Sequence, residues 1–331
     1  MSQGIFKTED LFYTQLVPLL NQQLTDVGAQ ALRFPKIFFA INSEDCQFMI
    51  MENLKTSGFA RRNKRLGLDA PHTRLVVQEL GRFNAASLIL EKSLGTKIED
   101  KYPRFKGKLW SESMKFLGPW MSSLFEDTIS LAKREGSKYD GVQRWLENAK
   151  KTPLELLDQN LQDDAAQFSV LGHNDCWTAN LMFRYTKDDE PEDVRLFDFQ
   201  APRKTSVAID LNNLFYNSMN GTNRKAHRKE LLSLYYNSFS AILSSKGQSP
   251  PFTLQELDDE CHRKMIHGVL YGIMFTKMAI GAPVDQGDWN VFEEAKDGES
   301  QATIKGNNNE EEVRQRFLDL FEDMIQFDIV A

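Results

Sequence analysis

Three residues with complementary chemistry stand close together in VLGHNDCWTANLMF, residues 170–183: His173, Asp175 and Asn180, set between two apolar runs. Asp198 follows in RLFDFQ and Asp210 in AIDLNNLF. Phosphoryl transfer asks for such a set. One carboxylate accepts the proton of an attacking hydroxyl. An amide oxygen and a second carboxylate hold Mg²⁺ against nucleotide phosphates, because magnesium prefers oxygen ligands and is seldom caged by protein alone. Asp175 fits the base, with His173 beside it in a supporting part, and Asn180 and Asp198 fit the metal. Two strand-like runs, NLMFRY (180–185) and DVRLFDF (193–199), enclose the charged turn TKDDEPE. They read as a hairpin that folds the chain back so that both metal ligands converge.

Each residue also has a plainer reading. His173 can be a core histidine bonded to a backbone carbonyl, Asp175 a turn-capping aspartate and Asn180 a turn residue. LFDF suggests that Asp198 is buried, and a buried aspartate needs a partner or a metal. Asp210 can be the N-cap of the helix that follows. A metal-hydrolase site would need more histidines nearby. His72, His227, His262 and His267 are scattered, with no H-x-x-x-H pair, which argues against one.

The elements around this set are mostly helical. Residues 9–24 place Leu11, Phe12, Leu16, Leu19, Leu20 and Leu24 at helical spacing, with Pro18 predicting a kink. IFFAI (37–41) and CQFMIM (46–51) read as a hairpin. The segment 55–71 is polar, and its run Arg61, Arg62, Lys64, Arg65 reads as a solvated loop. An amphipathic helix spans 72–94, and helical patterns cover 111–134, 141–149, 153–162, 208–219, 227–245, 253–280 and 310–326. The segment 283–309 is polar. This order predicts an α+β, mostly helical fold with a small N-terminal part, 1–54, and a larger C-terminal part, 55–331.

Bulk properties bound the function. The chain has 331 residues, 41% hydrophobic and 26% charged, which is the composition of a soluble globule. A net charge of −7 argues against a nucleic-acid binder. No run approaches a membrane span and the first residues lack a secretory h-region. The three cysteines, Cys46, Cys176 and Cys261, form no C-x-x-C pair and fit reduced thiols in the cytoplasm.

LGHNDCWTANLMF, VRLFDFQ and AIDLNNLFYNS closely resemble the insect ecdysteroid-kinase-like (CHK kinase-like) group. That group is a branch of the choline kinase and aminoglycoside phosphotransferase superfamily, which shares the protein-kinase fold. FKTEDLFYTQLVPLL resembles the family's helix C, FMIMENLKTSGF its hinge strand and GLDAPHTRLVVQELGRFNAAS the helix after the hinge. VRQRFLDLFEDMIQF resembles its C-terminal helix. The resemblance implies a bilobal kinase-like fold, ATP and Mg²⁺ as cofactors, and a small-molecule acceptor, an ecdysteroid or a related sterol or xenobiotic. It makes Asp175 the catalytic base, Asn180 and Asp198 the magnesium ligands and Asp210 a brace for the catalytic loop. It sets Met51, Glu52, Asn53 and Leu54 against the adenine, and makes Glu9 the helix-C glutamate. Asn84 stands where relatives commonly carry a histidine.

The same resemblance starts at helix C. The residues before Glu9 include Gly4 and Lys7 but no glycine-rich hairpin or lysine-bearing strand, so a truncated N-terminal lobe is expected. Two functions follow: an ATP-dependent kinase for a small-molecule hydroxyl, or a catalytically inactive small-molecule binder. Trp110, Trp120, Tyr216 and Tyr271 read as core residues, with a sterol-site lining as the other reading.

Overall fold

The computed structural model describes residues 2–43, 45–106, 115–162, 166–281 and 310–330. Its N-terminal helical segment has three pieces: α1 (Ser2–Leu11), a π-helical turn (Phe12–Leu16) and α2 (Val17–Thr25). Phe12, Tyr13, Leu16, Leu20 and Leu24 form its buried stripe. The irregularity expected at Pro18 lies just before it. Proline lacks an N–H and removes one rung of the ladder, and the Val17 N–H reaches back to Phe12 O in π register.

The first hairpin pairs β1 (Ile37–Asn42) with β2 (Gln47–Met51), with Asn42 opposite Gln47 and Ile37 opposite Met51. Ile37, Met49 and Met51 pack toward the core, while Phe39, Phe48 and Ile50 face outward. After β3 (Phe59–Ala60) comes α3 (Ala70–Leu94). The Asp69 side chain caps its start, Pro71 sits in its first turn, and Gly95 ends it at φ 66°. α4 (Ile98–Lys101), α5 (Gly118–Glu135), α6 (Asp140–Ala149) and α7 (Pro153–Leu161) build the middle of the chain.

Two sheets position the polar residues of the stretch 170–183. β4 (Ser169–Gly172) pairs antiparallel with β7 (Arg203–Ser206), and β5 (Leu181–Tyr185) pairs with β6 (Pro191–Leu196), with Leu181 opposite Leu196. β3 adds to the outer edge of β5. α8 (Val207–Asn213) and a π turn (Leu214–Ser218) follow, then α9 (Gly221–Ser245), α10 (Leu254–Arg263), α11 (Met265–Gly281) and α12 (Glu310–Gln326).

The single helix expected over 253–280 is two helices. Lys264 breaks it, being buried, with Nζ donating to Asn160 O and Gln162 O at the end of α7. An ammonium buried this deeply needs those carbonyls, and the chain turns to supply them. The polar segment 283–309 and Trp110 lie outside the described residues.

α3 and α9 form the central helix pair. A Cβ on Gly81 would lie 2.6 Å from Tyr235 O, so only glycine permits this approach. The hydrophobic core is continuous from Phe12 through Phe83, Phe199 and Tyr235 to Met324, and so runs across residue 54. A small separate cluster joins Leu54, Phe59 and Met182, with Phe197 against it. Among the described residues no helix is long and apolar enough to cross a membrane.

Candidate functional site

The loop after β4 is held from beneath by Asp210. Its carboxylate accepts the backbone N–H of His173 (2.7 Å) on one oxygen and that of Asn174 (2.7 Å) on the other. Asp210 is therefore not the N-cap of α8. Ser206 takes that place, accepting from the Ala208 N–H. Burial pushes the Asp210 carboxyl up to about 6, although its two N–H donors favour the charged form. Gly172 makes room for this strut, since a Cβ there would lie 3.0 Å from Asp210 Oδ2 and 2.9 Å from Thr205 Oγ1.

Asn174 adopts the left-handed region at φ 62°, which asparagine tolerates. Its side chain ties the loop to β7, accepting from Thr205 Oγ1 (3.1 Å) and donating to Arg203 O (3.3 Å). Its carbonyl accepts the Tyr271 hydroxyl at 2.9 Å. Tyr271 is thus a buried anchor of the loop, and Tyr216 is likewise buried, with Arg224 over its ring. Trp120 packs part-buried against the core.

His173 is fully buried, and burial pushes its imidazole down to about 4, so it is neutral near pH 7. Nε2 donates to Phe197 O (3.0 Å), and Nδ1 accepts the Asp175 backbone N–H (3.3 Å). These two bonds fix the tautomer. The plainer reading of His173 as a core histidine on a carbonyl is what the chain contains, but that carbonyl adjoins Asp198. His173 thus ties the Asp175 loop to the strand end that carries Asp198.

Asn180 closes the turn Thr178–Asn180 and donates its amide nitrogen to Asp175 Oδ2 and to Asp175 O, both at 2.9 Å. That use of the nitrogen leaves the carbonyl Oδ1 as the end of the amide suited to a cation. The Asn180 backbone carbonyl accepts the Phe197 N–H at 3.1 Å, which sets Asp198 one residue past a rung shared with Asn180. Asp198 sits at φ 65°, a strained backbone for a non-glycine residue. Gln200 adds a donor to Asp175 Oδ2 at 3.4 Å.

The charge of Asp198 acts on two other carboxyl groups, Asp175 and Glu9. Burial first, and the charge of Asp198 second, hold Asp175 well above the ordinary carboxylate range. Glu9, on α1, is raised to about 7 by burial and by Asp198, while a hydrogen bond from the Phe199 backbone lowers it. The loop joining β6 to β7 is also locked by its aromatic residue. Phe199 stacks on Phe12 at 4.1 Å between ring centres and packs against His173 at 4.2 Å. The helix that resembles helix C therefore touches the site through both Glu9 and Phe12.

Met51 and Glu52 are half-buried at the end of β2 and Asn53 is exposed, while Leu54 is buried in the small cluster with Phe59 and Met182. The Glu52 N–H donates to Lys36 O at 2.8 Å. Sequence reasoning passed over Gly172, Gln200 and Ser218, whose Oγ accepts the Thr178 N–H at 2.9 Å, and read Tyr271 as core without its bond to the loop. A glycine directly before the histidine was the one visible signal among these. A cavity of about 850 Å³ is lined by residues of α2, β1 and β6, by Arg33 and Phe34 between α2 and β1, and by Glu52. It excludes Asp175, Asn180 and Asp198. Among the described residues no three His, Cys, Asp or Glu side chains are grouped closely enough to cage a metal ion.

The profile of the ecdysteroid kinase-like family matches residues 1–247, and the chain belongs to that family. Among solved structures the chain is similar to an ethanolamine kinase of Plasmodium vivax, at 12% identity and a TM-score of 0.39. That alignment covers 92% of this chain and 71% of the other. No curated protein matches the chain.

Proposed function

We propose that the protein is an ATP- and Mg²⁺-dependent phosphotransferase acting on a hydroxyl of a small molecule, an ecdysteroid or a related sterol or xenobiotic. Family membership supports the small-molecule kinase class. The observation that carries the reading is the Asp175–Asn180–Asp198 arrangement. Asp175 is steered by Asn180 and Gln200 onto one oxygen, Oδ2, which leaves Oδ1 to take the proton of an entering alcohol. Burial and the charge of Asp198 raise its proton affinity, which favours its taking a proton. His173 and Asp210 are positioning residues that hold the loop and do not meet the substrate.

The donor set fits a hard divalent cation. The mutual repulsion of Asp175 and Asp198 is what a cation would relieve, and Asn180 Oδ1 and the Asp198 carboxylate would hold it. When bound, Mg²⁺ offsets negative charge on the phosphates. With no protein-only cage among the described residues, the remaining ligands would be nucleotide phosphates and water, as magnesium commonly requires. Leu54, Phe59, Met182 and Phe197 offer an apolar floor for the adenine, with the backbone of Met51, Glu52 and Asn53 along its edge. Glu9 closes the site beside Asp198. We assign the protein to the cytoplasm, where ATP is available and its free cysteines stay reduced.

The test is incubation with γ-labelled ATP, Mg²⁺ and a panel of hydroxylated steroids. Transfer is expected, and Asp175→Asn should lower kcat by roughly 10²–10⁴-fold, as loss of a general base does. Steroid binding with no transfer and no response to ATP–Mg²⁺ would replace this reading with a non-catalytic binder.

A further inference from the structure

The basic run Arg61, Arg62, Lys64, Arg65 reads from sequence as a solvated loop. In the structure it lies beside Thr178 and Ala179, the two residues that precede Asn180. β3 pairs antiparallel with β5, Phe59 opposite Arg184 and Ala60 opposite Phe183. Continuing in that direction carries the next residues back along β5 toward Asn180. Residues 61–65 accordingly line a small pocket together with Thr178, Ala179 and Ala279.

The cations of this run do different work. Arg62 donates to Gly67 O (2.6 Å) and to Asp69 Oδ2 (2.9 Å), and Arg65 pairs with Glu312 (3.2 Å). Both hold the loop to its surroundings. Lys64 lies over the Trp177 ring. Arg61 is exposed, and its guanidinium sits 5.5 Å above the centre of the Phe197 ring. Among the described residues no carboxylate pairs with it. Phe197 borders the apolar cluster of Leu54, Phe59 and Met182 on one side and immediately precedes Asp198 on the other. Arg61 therefore stacks on the ring that borders the apolar floor and directly precedes Asp198 in the chain.

We infer that Arg61 binds the phosphate groups of the nucleotide, an assignment that rests on the phosphotransferase reading above. A nucleotide brings negative charge into a site that already holds Asp175, Asp198 and Glu9. A guanidinium at its edge offsets that charge, and its planar fork of N–H donors matches phosphate oxygens. Stacking on Phe197 and attachment to a paired strand keep it in place before the ligand arrives, so little side-chain freedom is lost on binding. The apolar cluster holds the base, and Arg61 reads the charged end.

The experiment is calorimetric titration of the full chain and of Arg61→Gln and Arg61→Lys with MgATP, MgADP and adenosine. Arg61→Gln should weaken MgATP and MgADP by about 10–100-fold, the range for a lost hydrogen bond to a charged group. Adenosine affinity should stay within about twofold, because the base contacts do not involve Arg61. Arg61→Lys should recover part of the loss, keeping charge without the fork. Unchanged MgATP affinity in Arg61→Gln overturns the assignment, and so does an equal loss for adenosine and MgATP. Wild-type protein that binds adenosine but not MgATP overturns it too. Wild-type protein that binds no nucleotide at all overturns the phosphotransferase reading and this assignment with it.

Discussion

Glu9 shows how one carboxyl records the state of the whole site. It is raised from its ordinary 4.5 to about 7 by burial and by Asp198. The folded protein therefore keeps a proton that the unfolded chain has released. By linkage this favours the folded state at low pH. The advantage declines as pH climbs above 4.5 and is gone once pH passes about 7. Asp210 acts in the same direction between 3.8 and about 6. Glu9→Gln keeps an acceptor for Phe199 and cannot ionise. Its melting temperature should exceed that of the wild type by a few degrees at pH 8, and the gap should close by pH 4.5. Thermal melts across that range check this, and a gain that does not vary with pH would contradict it. Saturating Mg²⁺ should shrink the gap at pH 8, because a cation beside Asp198 relieves the same repulsion.

At the scale of elements, the α3–α9 pair supports the loop from behind. Asn84 is buried, donates to Leu171 O (2.9 Å) on β4 and accepts the Tyr235 hydroxyl (2.7 Å) from α9. One side chain thus ties two helices to the strand that delivers His173. Asn84→Leu keeps the size and strands two buried polar groups, which should cost about 2–6 kcal/mol at 1–3 kcal/mol for each group. Chemical denaturation measures this, and a loss below about 0.5 kcal/mol would show that the groups find other partners.

Much of this level was legible beforehand. The hairpin of β1 and β2 shows as two apolar runs around a polar turn, and α3 is bracketed by Asp69, Pro71 and Gly95 within a residue or two of the expected bounds. The break at Lys264 was not legible, because its cause is a pair of carbonyls at the end of α7, far away in sequence. The same holds for Gly172, whose need for glycine arises from Asp210 and Thr205. The basic run is the loop that its charge predicts, with Arg61 exposed, but its neighbours were not legible. Charge alone predicts exposure, and only strand pairing reveals what Arg61 lies beside.

At the scale of the molecule, one core joins the N-terminal helix to the helical body through Phe12, Phe34, Phe83 and Phe199. The helix that carries Glu9 and the loop that carries Asp198 therefore rest on a shared foundation. The account depends on Asn180 and Asp198 acting together on a cation beside Asp175. Titration of ATP into the protein with and without Mg²⁺ tests this most directly, using wild type, Asn180→Ala, Asp198→Asn and Asp175→Asn. We expect Mg²⁺ to tighten ATP binding by about tenfold or more, roughly 1.4 kcal/mol, in wild type and Asp175→Asn. That gain should be lost in Asn180→Ala and Asp198→Asn. A gain of the same size in all four proteins would contradict the account.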